Sequence, residues 1–186
     1  MTDYLIDLLK RNRVAEYGVD VLAVVTELKN QGKDPVKEFR ELFYDSTLEA
    51  TRWHSYALEG LRGLAARGHL TEKQAIELLV MTDILAWAYR SMEEYYKSIS
   101  ALANSTETAP VLVQFVQQKL GEQKDLAQWR WLAFFAAGSL LQTRKAQIPC
   151  TVVAQLLEEA SNEQEPRRKQ YFQEVATSAR EALGLP

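Results

Sequence analysis

Two heptad stripes that follow one another constrain this chain more than any other feature of it. One runs through Val36, Phe39, Phe43, Ser46, Ala50, Trp53, Ala57, Gly60 and Leu64, the other through Leu78, Met81, Leu85, Ala88, Met92, Tyr95, Ile99 and Leu102. Steps of three and four residues are the period of a seam between helices packed at a shallow angle. Little more than the turn Gly68, His69, Leu70, Thr71 breaks the pattern between them. The stripes therefore predict one long antiparallel helical hairpin with arms over 35–67 and 72–103. No segment alternates with the period of a strand, so the expected fold class is all-α.

Punctuation residues divide the rest. Pro35, Pro110, Pro149 and Pro166 each sit just before a run of helical period, where a missing N–H costs nothing. Asp34 is placed to cap a helix, Thr71 with Gln74 reads as a capping box, and Gly32, Gly68, Gly121 and Gly184 fall where helices should stop. The resulting map has helices over 3–11, 13–30, 35–67, 72–103, 110–120, 125–144, 149–161 and 166–183. Val14, Tyr17, Val21, Val24 and Leu28 stripe the second of these and predict that it packs along the hairpin, making residues 1–103 a bundle. Within the hairpin, Trp53 is expected near Ala88, and Trp87 near Ala50 or Trp53. Gly60 and Gly63 inside a helix cost roughly 1 kcal/mol each, which hints at close helix packing.

The polar run 104–108 reads as a linker. Beyond it, 110–144 and 149–183 align at an offset of 40 residues: Val113 with Val153, Val116 with Leu156, Trp131 with Tyr171, Leu132 with Phe172, Phe135 with Val175, Ala136 with Ala176. Asp125 with Arg130, and Asn162 with Arg168, approximate an inner-turn ladder. The pattern resembles HEAT-type helical repeats. The resemblance implies two HEAT-like helix pairs over 110–186, packed on the bundle as one compact unit. Helix 125–144, apolar almost all round, is expected to be central, and 166–183, with its narrow stripe of Phe172, Val175, Ala179 and Leu183, to be the outer cap.

Composition narrows the class. Lys and Arg number 13 against 16 Asp and Glu over 1–103, and 9 against 9 over 104–186, so nucleic acid is not the expected partner. A single cysteine, Cys150, cannot form an internal disulfide and fits a reducing, cytoplasmic compartment. The first ten residues carry two aspartates and do not read as a secretion signal. The longest apolar run, 131–141, covers 11 residues, well short of the roughly 20 that a membrane span needs.

Chemistry-bearing residues are sparse. His54 and His69 are the two histidines, and neither has a glutamate three positions before it, which argues against a ferritin-like di-metal site. No metal and no cofactor is expected. Arg62 followed by His69 resembles the arginine and histidine pair of HEPN ribonucleases, although Gly63 stands where that family has a polar residue; the resemblance implies RNA cleavage. The plainer reading is an exposed arginine and a turn histidine. Cys150, in a first helical turn, reads as a small packed side chain rather than a nucleophile. The aromatics Trp53, Trp87, Trp131 and Phe135 are candidate walls of a pocket for a hydrophobic or aromatic ligand. Tyr89, Glu93 and Tyr96 on the outer row of the hairpin, with Arg144 and Lys145, are candidate partner contacts.

Long helical faces with few loops suit recognition of another protein or of a second copy. The expected function is a non-enzymatic interaction module: an adaptor, assembly factor or regulator. The alternatives are a ligand-binding helical protein and a HEPN-like ribonuclease.

Overall fold

The computed structural model describes residues 3–14, 19–45, 51–121 and 127–184. Among these residues the protein is all helical, with one isolated bridge between Arg13 and Val19 and no strand. The helices are α1 (Asp3–Arg11), α2 (Val21–Asn30), α3 (Pro35–Tyr44), α4 (Thr51–Ala65), α5 (Glu72–Tyr89), α6 (Glu93–Ala103), α7 (Ala109–Gly121), α8 (Ala127–Thr143), α9 (Cys150–Asn162) and α10 (Pro166–Ala182). None among the described residues is long and apolar enough to cross a membrane. The chain divides into two compact units, Met1–Ser98 and Ile99–Pro186, so the division falls inside α6 and not in the polar run 104–108.

Each arm of the expected hairpin is interrupted. α3 ends at Tyr44 with Asp45 extended, and α4 starts at Thr51; Ser46 and Ala50 lie outside the described residues. In the second arm α5 stops at Arg90, which takes a left-handed conformation at φ 50° while the Ser91 N–H reaches back to the Ala86 carbonyl at 3.1 Å. This is the closure that glycine usually provides at a helix end, and an arginine in that place gives no sequence signal. The break interrupts the stripe: Leu78, Met81 and Leu85 are buried, Ala88 is exposed, and burial resumes at Tyr95, Ile99 and Leu102.

Other ends follow their chemistry. Asp34 accepts the Val36 N–H at 3.0 Å, and the Thr71 and Gln74 capping box is formed. Gly32 and Gly68 have φ of 68° and 72°. The expected helix 13–30 is shorter than its periodicity suggested. Asp20 accepts the Ala23 N–H at 3.0 Å and starts α2 there, leaving Val14 69% exposed.

In the first unit α4 packs on α2, α3 and α5. The α3 and α4 contact depends on Gly60: a Cβ there would lie 2.4 Å from the ring of Phe39, which is fully buried. Gly63 lies equally close to Val21, whose Cγ1 a Cβ would meet at 2.6 Å. In the second unit α8 packs on α7 and α10, and α9 on α7 and α10. Phe134 of α8 stacks on Phe172 of α10 with ring centroids 3.8 Å apart. The stretch 104–108 is a folded turn, with the buried Thr108 hydroxyl donating to the Leu102 carbonyl at 2.7 Å.

Candidate functional site

α5 is apolar on both sides. Its inner face buries Ala75, Leu78, Met81, Leu85 and Ala86. Its outer face carries Ile76, Val80, Ile84 and Trp87, exposed by 43, 51, 50 and 73%. These four recur at steps of four, four and three, so they form one ridge along the helix. Of the eight large hydrophobic side chains exposed among the described residues, they and Tyr89 account for five. Scattered surface hydrophobes are ordinary, whereas a contiguous row marks an interaction surface.

The flanks of the ridge are tied down within the unit. On one side Glu77 pairs with Arg40 of α3 at 2.7 Å; that bond holds the Arg40 guanidinium more firmly protonated than usual. On the other, Asp83 accepts the hydroxyl of Tyr95 on α6. Burial and that bond push the Tyr95 hydroxyl well above its ordinary value. At the C-terminal end the Tyr89 and Ser55 hydroxyls are 3.2 Å apart, joining α5 to α4.

Beneath α5 lies a buried polar relay. The Arg62 Nε donates to Ser98 Oγ at 2.9 Å, and its Nη2 to the Glu94 carboxylate and carbonyl at 2.7 and 3.0 Å. Thr82 donates to the Leu78 carbonyl at 2.7 Å and lies 2.7 Å from Ser98 Oγ. Because the Thr82 hydrogen is committed to Leu78, Ser98 is the donor to Thr82. Thr82 and Ser98 are fully buried and Arg62 is 6% exposed. The expectation of an exposed Arg62 is thus overturned. Its apolar neighbours concealed that an arginine on this face has carboxylate and hydroxyl partners from α6. His69 is exposed in the turn after α4.

The remaining expected contacts are scattered. Tyr89 is exposed and Tyr96 half-buried, and they stand on opposite sides of the Arg90 break. Glu93 is bonded to Lys97 at 2.8 Å, which lowers its carboxyl below the usual range. Arg144, left-handed at φ 55°, and Lys145 are exposed just after α8 in the second unit. Trp53 is half-buried, its ring 5.7 Å from Tyr56. Trp87, expected inside near Trp53, points to solvent because it lies on the ridge opposite Leu78 and Leu85. Trp131 packs on Tyr171 at 5.0 Å, and Phe135 lines a shallow groove beside the same tyrosine. Cys150 is exposed, contrary to the expectation of a packed side chain. As the first residue of α9, directly after Pro149, it precedes the buried pair Val152 and Val153.

A cavity of about 640 Å³ is an open groove of the second unit between the C-terminal parts of α8 and α10, lined by Leu140, Arg144, Ile148 and Leu183. No cluster of three or more His, Cys, Asp or Glu among the described residues could hold a metal ion.

The ridge was legible in the sequence by subtraction. If Leu78, Met81 and Leu85 face inward, Ile76, Val80, Ile84 and Trp87 project from the opposite side of the same helix. No family model matches the chain, and neither a curated protein nor a solved structure matches it.

Proposed function

We propose that this protein is a helical protein-interaction module and that the outer face of α5 is its docking surface. The observation that supports this is the row Ile76, Val80, Ile84 and Trp87, exposed on a helix whose other side is core. At those exposures the four side chains present on the order of 400 Å² of apolar surface, the size of the largest patches on monomers. Covering it is worth roughly 10 kcal/mol gross at 25 cal/mol/Å², from which the cost of association must be subtracted. The surrounding side chains hold α5 in place through Arg40, Tyr95 and Ser55. A rigid helix carrying an exposed apolar ridge suits recognition of a complementary helix or groove.

The test is affinity capture from the source cells with the wild-type protein and with Val80→Asp. Val80 is half exposed, so the charge leaves folding within about 0.5 kcal/mol of wild type, which circular dichroism and thermal melting check. A protein recovered in stoichiometric amount with the wild type and lost with Val80→Asp supports the docking face. Equal recovery with both, from a folded variant, refutes it.

A further inference from the structure

We infer that the occupant of this face is a second copy of the chain, its α5 lying antiparallel to the first about a twofold axis at Val80. This rests on the reading of α5 as a docking surface and adds the identity of what docks.

The argument is the symmetry of the ridge. Ile76 and Ile84 each lie four residues from Val80, and Lys73 and Trp87 each lie seven. The sequence of contacts therefore reads the same in both directions, which is the requirement of an isologous interface. Steps of three, four, four and three average the 3.5 residues of a shallow helix crossing. In the antiparallel arrangement Val80 meets Val80 on the axis and Ile76 meets Ile84 of the second copy. Exposed Lys73 comes over the ring of Trp87 of the second copy, a cation on the face of an indole. Exposed Glu72 comes near Arg90 of the second copy.

The acidic residues decide between self-pairing and repulsion. Glu77 and Asp83 are also symmetric about Val80 and would face one another across the axis as like charges. Both are already engaged inside the protomer, Glu77 by Arg40 and Asp83 by the Tyr95 hydroxyl. A parallel pairing would instead set Lys73 against Lys73 and Arg90 against Arg90, so charge selects the antiparallel one. Two copies of the ridge supply on the order of 800 Å², and the flanking Lys73, Leu79, Ala88 and Arg90 bring the total towards the roughly 1,200 Å² at which specific interfaces begin. The dimer is accordingly weak and concentration-dependent.

Sedimentation velocity of the full chain across a concentration series, with cysteine cross-linking on a Cys150→Ser background, tests this. The wild type should pass from monomer to dimer, and Val80→Asp should weaken the association by on the order of a hundredfold, since two carboxylates would be buried at the axis. Under mild oxidation Val80→Cys should cross-link to itself. Lys73→Cys and Trp87→Cys should cross-link when mixed and not when alone. A wild type that stays monomeric throughout, a dimer indifferent to Val80→Asp, or Lys73→Cys cross-linking to itself would each overturn the inference. Self-pairing can fail while the docking face stands: a monomer whose captured heterologous partner is lost with Val80→Asp shows that case. Both fail if Val80→Asp changes neither self-association nor capture.

Discussion

Replacing Gly60 by alanine sets two effects of known sign against each other. Glycine in the middle of a helix costs about 1 kcal/mol relative to alanine, so an unobstructed site would gain that much. Here the new methyl would lie 2.4 Å from Cε1 and Cζ of Phe39 and 2.6 Å from Cδ1. Ordinary carbon contacts are at about 3.5 to 4.0 Å, so the ring must retreat by about 1 Å. Phe39 is fully buried, with α4 over it, and such overpacking costs up to about 3 kcal/mol. The net expectation is a loss of about 1 to 2 kcal/mol, or roughly 2 to 8 °C in melting temperature for a chain of this size. Urea unfolding of Gly60→Ala, Phe39→Leu and the double variant reads it directly. The double variant should lose at least about 1 kcal/mol less than the sum of the two single losses, because a smaller side chain vacates the space that the methyl needs. A Gly60→Ala protein as stable as the wild type, with an unchanged denaturant slope, would refute the close approach of α3 and α4.

Arg90→Gly should stabilise the protein by about 1 kcal/mol, because a left-handed residue with a Cβ pays roughly that at φ 50°; an unchanged or lower unfolding midpoint would contradict the αL ending of α5. Arg62→Met should cost about 2 to 4 kcal/mol by taking the guanidinium away from Ser98 Oγ and from the Glu94 carboxylate, which keeps Lys97 at 3.8 Å, and adding Glu94→Leu should restore part of it, so a double variant no better than the single one counts against the ion pair. Glu163 braces the turn into α10: burial works to raise its carboxyl, but the N–H groups of Glu165 and Gln164 and the Arg168 guanidinium outweigh it and hold it below 4.5. Its contribution is therefore complete above pH 4.5 and lost as pH falls through the lower folded value. Glu163→Gln should flatten that acid limb and cost about 1 to 2 kcal/mol at neutral pH, and wild-type and variant midpoints running parallel through the acid range would refute it.

What the sequence revealed, and what it hid, follows from how each feature is encoded. Helix starts at Pro35, Pro166 and Thr71 and stops at Gly32 and Gly68 were readable because each carries its own local chemistry. The stop at Arg90 was hidden because arginine adopts the left-handed conformation without any preference for it. The start of α2 at Val21 was hidden because the stripe Val14, Tyr17, Val21 continues the helical period through a segment that Asp20 interrupts. Gly60 signalled close packing but could not name Phe39 as the neighbour. Arg62 and Cys150 were misplaced in opposite directions for one reason: burial of a single polar or thiol side chain depends on what other helices bring to it, and periodicity within one helix is silent on that. Arg168 shows the same effect at short range, since its anion is Glu163 at 3.2 Å rather than anything offered by Asn162.

The outer ridge of α5 and the buried relay under it are parts of one problem. A helix apolar on both sides has no hydrophobic preference for which side turns inward, since either face would bury comparable area. Thr82 breaks the tie. Its hydroxyl lies on the inner side, where Ser98 and Arg62 complete a chain of donors and acceptors ending on the Leu78 carbonyl. Rotating α5 to bury Ile76, Val80 and Ile84 would separate Thr82 from Ser98 and leave buried polar groups without partners, at about 1 to 3 kcal/mol for each. The relay adds little net stability compared with an apolar replacement of the same shape. Its physical effect is to choose the rotation of α5, and that choice puts Trp87 and the three branched side chains outside. Beyond Arg90, α6 buries Ser98 and presents Glu93 and Lys97 to solvent. The apolar face therefore ends with α5, and its length is set by the left-handed arginine as its direction is set by the buried threonine.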